Sequence, residues 1–184
     1  MTHRDPPSWP PPDSWIREAL AESDESSREE RVERFRLLAE LFPPSGGLLI
    51  LGGVPAWFAL EDAQRSFLSG DFLAVVLCAQ TLAEHSLASH YVLSGDDKTA
   101  ESGLAGLVDR ARADGLIDST FSTQLHKLRR MRNPYTHPHA GLNPRSYMTR
   151  LVASGHANPH ALVAADARLA LEVVAKFIDA GRSK

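Results

Sequence analysis

Residues 128–139, LRRMRNPYTHPH, gather three arginines, an asparagine and two histidines into one short stretch. A guanidinium stays charged and matches two phosphate oxygens at once. An imidazole titrates near neutrality and moves a proton in either direction. Held together, the two could grip a phosphodiester and shift the proton of a neighbouring hydroxyl without a metal ion.

Context decides whether this spacing means anything. Phe121, Leu125 and Leu128 are four and three residues apart, so they form one apolar helical stripe. The next position on that stripe is Arg132, which places a cation on the core side of a helix end. Pro134 predicts that the helix closes at Asn133 and that the chain turns there. His137 then folds back toward Arg132. Arg150 and His156, separated by LVASG, form a second and looser match, but without the stripe or the asparagine.

The surrounding charge favours an anionic partner. Residues 119–165 contain no Asp or Glu and carry Lys127, Arg129, Arg130, Arg132, Arg145 and Arg150, a balance of +6. The rest of the chain has 14 basic against 23 acidic residues, so the overall −3 hides a basic face. Arg129, Arg130 and His139 read as contacts to such a partner or as rim residues on a solvated face. Five of the eight histidines lie in this segment, but no cysteine or carboxylate joins them at zinc-ligand spacing, so no metal and no cofactor is expected.

Each of these residues also has a plainer reading. Arg132 could be one half of a structural ion pair with Glu84, which shares a helical stripe with Leu77 and Tyr91. His137 could cap helix carbonyls. His85 and His90 fall on an apolar helix, where satisfied polar positions are the ordinary outcome. Trp9, Trp15 and Trp57 read as packing or tail residues.

The elements that must position these groups are helical throughout, because no run alternates apolar and polar residues as a strand would. Helices are expected over residues 15–21, 27–42, 56–68, 72–93, 102–113, 119–133 and 159–180, and the fold class is all-α. The helix over 72–93 has one formal charge, Glu84, and must be central. Leu104, Leu107, Val108 and Ala111 should face inward from the helix over 102–113. Residues 46–60 are apolar but too short and too broken by glycines and Pro55 to span a bilayer, so they read as a connection. The proline- and charge-rich start lacks the apolar core of a signal peptide. With one cysteine, Cys78, no intrachain disulfide forms. These features together predict a cytoplasmic protein that does not enter a membrane.

Arg132-Asn133, three further residues and His137 resemble the signature of the HEPN superfamily, in which an arginine followed by a polar residue precedes a histidine at a helix end. The order of a central helix bearing Glu84, a loop, a short helix and the motif helix is similar as well, over roughly residues 56–180. The resemblance implies a HEPN-like helical bundle at residues 56–184, preceded by a flexible tail (1–13) and by N-terminal helices with an apolar connection (14–55). It implies a metal-independent endoribonuclease of a bacterial toxin or anti-phage type, whose composite site forms across a homodimer. Arg132 would bind the scissile phosphate, His137 would act as general base or acid, and Asn133 would orient one of them, with Glu84 supporting Arg132. An antitoxin or regulatory protein is an expected partner. Some members carry a tyrosine two residues after the histidine that a partner nucleotidyltransferase modifies; here that position is His139. The alternative is a non-catalytic HEPN module that binds RNA, a nucleotide or a partner protein.

Overall fold

In a computed structural model of the chain, residues 9–43, 52–136, 143–144, 146–155 and 158–182 are described. Among them there are eight helices and no strand, so the fold is all-α. They are α1 (Asp13–Leu41), α2 (Gly53–Ser69), α3 (Phe72–Leu93), α4 (Asp97–Ala100), α5 (Gly103–Ala113), α6 (Ser119–Thr136), α7 (Tyr147–Ser154) and α8 (Pro159–Arg182).

The apolar composition of α3 makes it the centre of the bundle. It packs against α2, α4, α5, α6 and α8, and buries Val75, Val76, Ala79, Leu82, Ala83, Leu87 and Tyr91. It is also the one helix among the described residues long and apolar enough to cross a membrane. Leu104, Leu107, Val108 and Ala111 of α5 are the buried face its spacing predicts. They join Leu125, Leu128 and Met131 of α6 and Val173, Val174 and Ile178 of α8 in the main core. A smaller cluster of Ala63, Phe67, Val75, Ala167 and Leu171 is covered by Leu37, Leu38 and Leu41 at the end of α1.

Helix ends follow local chemistry. Gly70 closes α2 at a φ of 91°, so that its N–H reaches the Phe67 carbonyl and the Asp71 N–H reaches that of Ser66. Gly95 closes α3 at a φ of 77° with the equivalent pair of bonds. Asp118 Oδ1 caps α6 by accepting the Phe121 N–H at 2.7 Å.

The structure corrects several expected boundaries. Residues 15–21 and 27–42 belong to one helix, α1, rather than two. The serine-rich stretch between them does not break it, because Ser26 and Ser27 hydroxyls bond back to the Ser23 carbonyl at 2.9 and 3.0 Å, and Arg28–Glu25 and Arg31–Asp24 pairs bridge the same turns. The apolar connection ends early, since Gly53 to Leu60 are already helical, with Pro55 tolerated in the first turn. In α8 the helix runs through Gly181 to Arg182. His85 and His90 are exposed rather than enclosed in the core.

Tyr91 couples the end of α3 to the end of α5 by donating to Asp114 Oδ2 at 3.0 Å, a carboxylate that Arg110 also holds. Burial first, then this hydrogen bond and the carboxylate's charge, push the Tyr91 pKa from 10.0 up to about 12. A raised folded-state value means that its stabilising contribution is complete below pH 10 and fades as the pH climbs toward 12. Tyr91→Phe should therefore flatten the alkaline loss of stability across that window, measured as urea midpoints against pH. An unchanged profile would show that the hydroxyl contributes nothing to this linkage.

Candidate functional site

The candidate site is built on the last two turns of α6. Positions 125, 129 and 132 share one face of a helix, and Leu125 on that face is completely buried. Arg129, Arg132 and Asn133 are half-buried further along, while Arg130 is exposed. The Arg129 Nε is buried and has no hydrogen-bond partner, which leaves a donor whose desolvation is uncompensated.

Among the described residues, arginines of the second half of the chain that pair with carboxylates are Arg110, Arg150 and Arg168. None of these pairs involves Arg129, Arg130 or Arg132. The ion pair considered between Arg132 and Glu84 is not formed: Glu84 is half-buried on α3 and takes no part in the ion pairs of the described residues. Among the described residues, the Arg132 guanidinium is thus not consumed by a structural carboxylate.

Pro134 does not stop the helix. It lies inside α6, which continues to Thr136. Because it falls in the last turn, the missing N–H costs one hydrogen bond, to the Arg130 carbonyl, and leaves the helix body intact. The Thr136 hydroxyl donates to the Arg132 carbonyl at 3.3 Å and gives that turn a partial replacement. The turn expected at Asn133 is therefore absent, and with it the basis for expecting His137 to fold back toward Arg132 there. His137, His139, Arg145 and His156 lie outside the described residues. His160 is exposed in the first turn of α8, where its backbone N–H is capped by Asn158 Oδ1 at 2.9 Å.

A buried, doubly bonded carboxylate near this end of α6 carries no motif in the sequence. Asp166 of α8 is 6% exposed. It accepts the Tyr135 hydroxyl on Oδ2 at 2.8 Å and Arg150 Nη2 on Oδ1 at 2.8 Å. Burial, the hydrogen bond to Asp166 and that carboxylate's charge raise the Tyr135 pKa well above a tyrosine's ordinary value, so the phenol stays a donor. Burial works against the Arg150 charge, but the bond and charge of Asp166 outweigh it and its pKa is raised. The Tyr135 and Tyr147 rings lie 5.6 Å apart at 51°, and the Tyr147 hydroxyl donates to the Pro159 carbonyl at 2.6 Å.

Arg150 of the looser match thus engages Asp166. Helix α7, which carries Arg150, was not expected from the sequence. Its signals are a serine cap, with Ser146 Oγ accepting the Thr149 N–H at 3.1 Å, and Gly155 at its end.

Cys78 is half-buried, and burial followed by the nearby Asp62 charge raises its thiol pKa, which disfavours the nucleophilic thiolate. Among the described residues no group of three His, Cys, Asp or Glu side chains is placed to hold a metal. No family model matches the chain, and neither a curated protein nor a solved structure matches it.

Proposed function

We propose that the chain is a metal-independent endoribonuclease of the HEPN type, acting as a homodimer in the cytoplasm in a toxin or anti-phage role, with RNA as substrate and an antitoxin or regulatory protein as partner. The observation that carries this reading is the state of Arg132. It is a half-buried arginine on the core-side face of α6, free of carboxylates among the described residues, next to Asn133 and five residues before His137.

In this reading His137 takes the proton of a ribose 2′-hydroxyl. The oxygen attacks the adjacent phosphorus, the P–O5′ bond breaks, and the products are a 2′,3′-cyclic phosphate and a 5′-hydroxyl. The leaving oxygen receives its proton from an imidazolium, a task suited to the partner's His137 across a twofold axis. Arg132 offsets the charge that builds on the non-bridging phosphate oxygens. Asn133 orients the phosphate or the imidazole, and Arg129, Arg130 and His139 extend the basic surface along the RNA backbone. Glu84 has no ion-pair role here and at most shapes the field behind α6.

The unpartnered Arg129 Nε favours a second reading, a module of the same kind that binds RNA phosphates without cleaving them. Both readings share one test. Light scattering should report a dimer, and RNA affinity measured by anisotropy should fall as salt rises. Arg130→Glu, at an exposed position, and the pair Arg129→Glu with Arg130→Glu should weaken binding to every sequence and lower the salt slope by about one for each phosphate contact removed. A monomer whose RNA affinity ignores both salt and charge reversal would remove the basis of both.

A further inference from the structure

Helix α1 presents a groove to solvent. Val32 and Phe35 of α1 and Leu68 of α2 line a space of about 620 Å³, with Arg28, Arg31 and Arg36 around it and Asp24 as its one acid. Phe35 is 61% exposed, and Leu20, nearer the start of the helix, is exposed to the same degree. Helices in proteins take most of their stability from packing an apolar face. Here 29 residues of helix bury none.

The order of residues along this face says what fits it. Leu20, Asp24, Arg28 and Val32 follow at intervals of four, and Phe35 stands three residues beyond, so all five share one side of α1. From either end the row reads apolar, charged, charged, apolar. Turning a second copy end for end sets Leu20 against the partner's Val32 and Asp24 against the partner's Arg28, with both pairs centred on Ser26, next to the middle of α1. In a parallel register each charge would meet its own kind, which is unfavourable.

The wider charge distribution agrees. Residues 13–25 hold Asp13, Glu18, Glu22, Asp24 and Glu25 against Arg17 alone, a balance of −4, whereas three arginines border the groove. Those arginines now pair with exposed neighbours on their own helix, Arg28 with Glu25, Arg31 with Asp24 and Arg36 with Glu33. Such pairs contribute about 0–1 kcal/mol, so exchanging them for carboxylates of a docked helix costs little.

We propose that α1 docks antiparallel on the α1 of a second copy of the chain, each helix laying its acidic first half, with Leu20, into the groove of Val32, Phe35 and Leu68 on the other. The contact is isologous. It uses no residue of α6, so it stands apart from the ribonuclease reading.

The test is cross-linking of the full chain carrying Cys78→Ser, so that no native thiol competes. Leu20→Cys and Val32→Cys proteins, made separately, are mixed and oxidised with diamide, which takes up the two hydrogens as the disulfide forms. The mixture should give a covalent dimer about tenfold faster, or more, than either protein alone, because docking raises the effective concentration of position 20 beside position 32. Adding Arg28→Asp to both proteins should remove this advantage, and adding Asp24→Arg with Arg28→Asp should restore it. Failure of the swap to restore it overturns the pairing of Asp24 with Arg28. Either protein dimerising alone as fast as the mixture overturns the antiparallel register, and no disulfide in any of them overturns the docking. Sedimentation equilibrium separates this contact from a dimer built around α6: Phe35→Glu should weaken association by about tenfold or more. A Kd that Phe35→Glu leaves unchanged overturns the α1 contact and leaves the other dimer in place.

Discussion

His137→Ala should abolish RNA cleavage in EDTA while the protein melts at the wild-type temperature. That is the expected result if the imidazole moves the proton and contributes little to the core. Removing a general base or acid costs about 10²- to 10⁴-fold in rate, and the wild-type product should carry a 2′,3′-cyclic phosphate because the neighbouring hydroxyl is the nucleophile. Arg132→Ala should lower the rate by about 10²- to 10³-fold, since on the proposed mechanism it removes the charge that faces the developing phosphate anion. Its effect on folding should be small, about 1 kcal/mol or less, because no carboxylate among the described residues is stranded by its loss. The pair of measurements is decisive. Full cleavage by a well-folded His137→Ala protein would sink the ribonuclease mechanism and leave the RNA-binding module.

The second large effect lies in stability. Asp166→Ala removes the acceptor of both Tyr135 and Arg150 and leaves a guanidinium whose side chain is only 24% exposed without its counter-charge. Breaking such a pair from one side costs about 3 kcal/mol, at the lower end of the range for buried pairs because Arg150 retains some solvent. In a domain of this size that lowers Tm by about 10 °C. Replacing both partners, as in Arg150→Met with Asp166→Leu, should recover part of the loss, since no unpaired charge then remains. A loss below about 1 kcal/mol for Asp166→Ala would class the contact with ordinary surface pairs.

How much of this was legible in the sequence depends on the range of the interaction. The stop of α3 at Ser94 and Gly95, the inward face of α5 and the cap at Asp118 are local, so spacing and residue type suffice to find them. The same is true of Arg132, whose place on the stripe of Phe121, Leu125 and Leu128 needs only helical periodicity. Where the reading failed, a tertiary or compensating contact intervened. Pro134 reads as a stop, but a proline in the last turn breaks only one bond, and Tyr135 beyond it is held by Asp166 from another helix. The break expected near Ser23 to Ser27 is bridged by side chains that bond within the helix itself. Asp166 carries no pattern of its own. It is one acidic residue in an amphipathic helix, and its partners are set by the packing of α6 and α7 on α8, which no spacing rule encodes.

α1 has a consequence for the breadth of unfolding. It is 29 residues long, about 44 Å at the usual helical rise, yet none of its residues is buried. Only its last turns rest on the bundle, through Leu37, Leu38 and Leu41 and through Arg34, which donates to the Leu68 carbonyl at 3.0 Å. The earlier turns carry serine back-bonds and local ion pairs such as Arg28–Glu25 and Arg31–Asp24. In hydrogen-exchange terms these turns form a separate foldon that opens at little free-energy cost, while amides in α3 and α8 exchange only by global unfolding. Helicity measured across the whole chain therefore declines in two regimes, a gradual one in which α1 melts back from its start toward Arg34 and a cooperative one that belongs to the bundle.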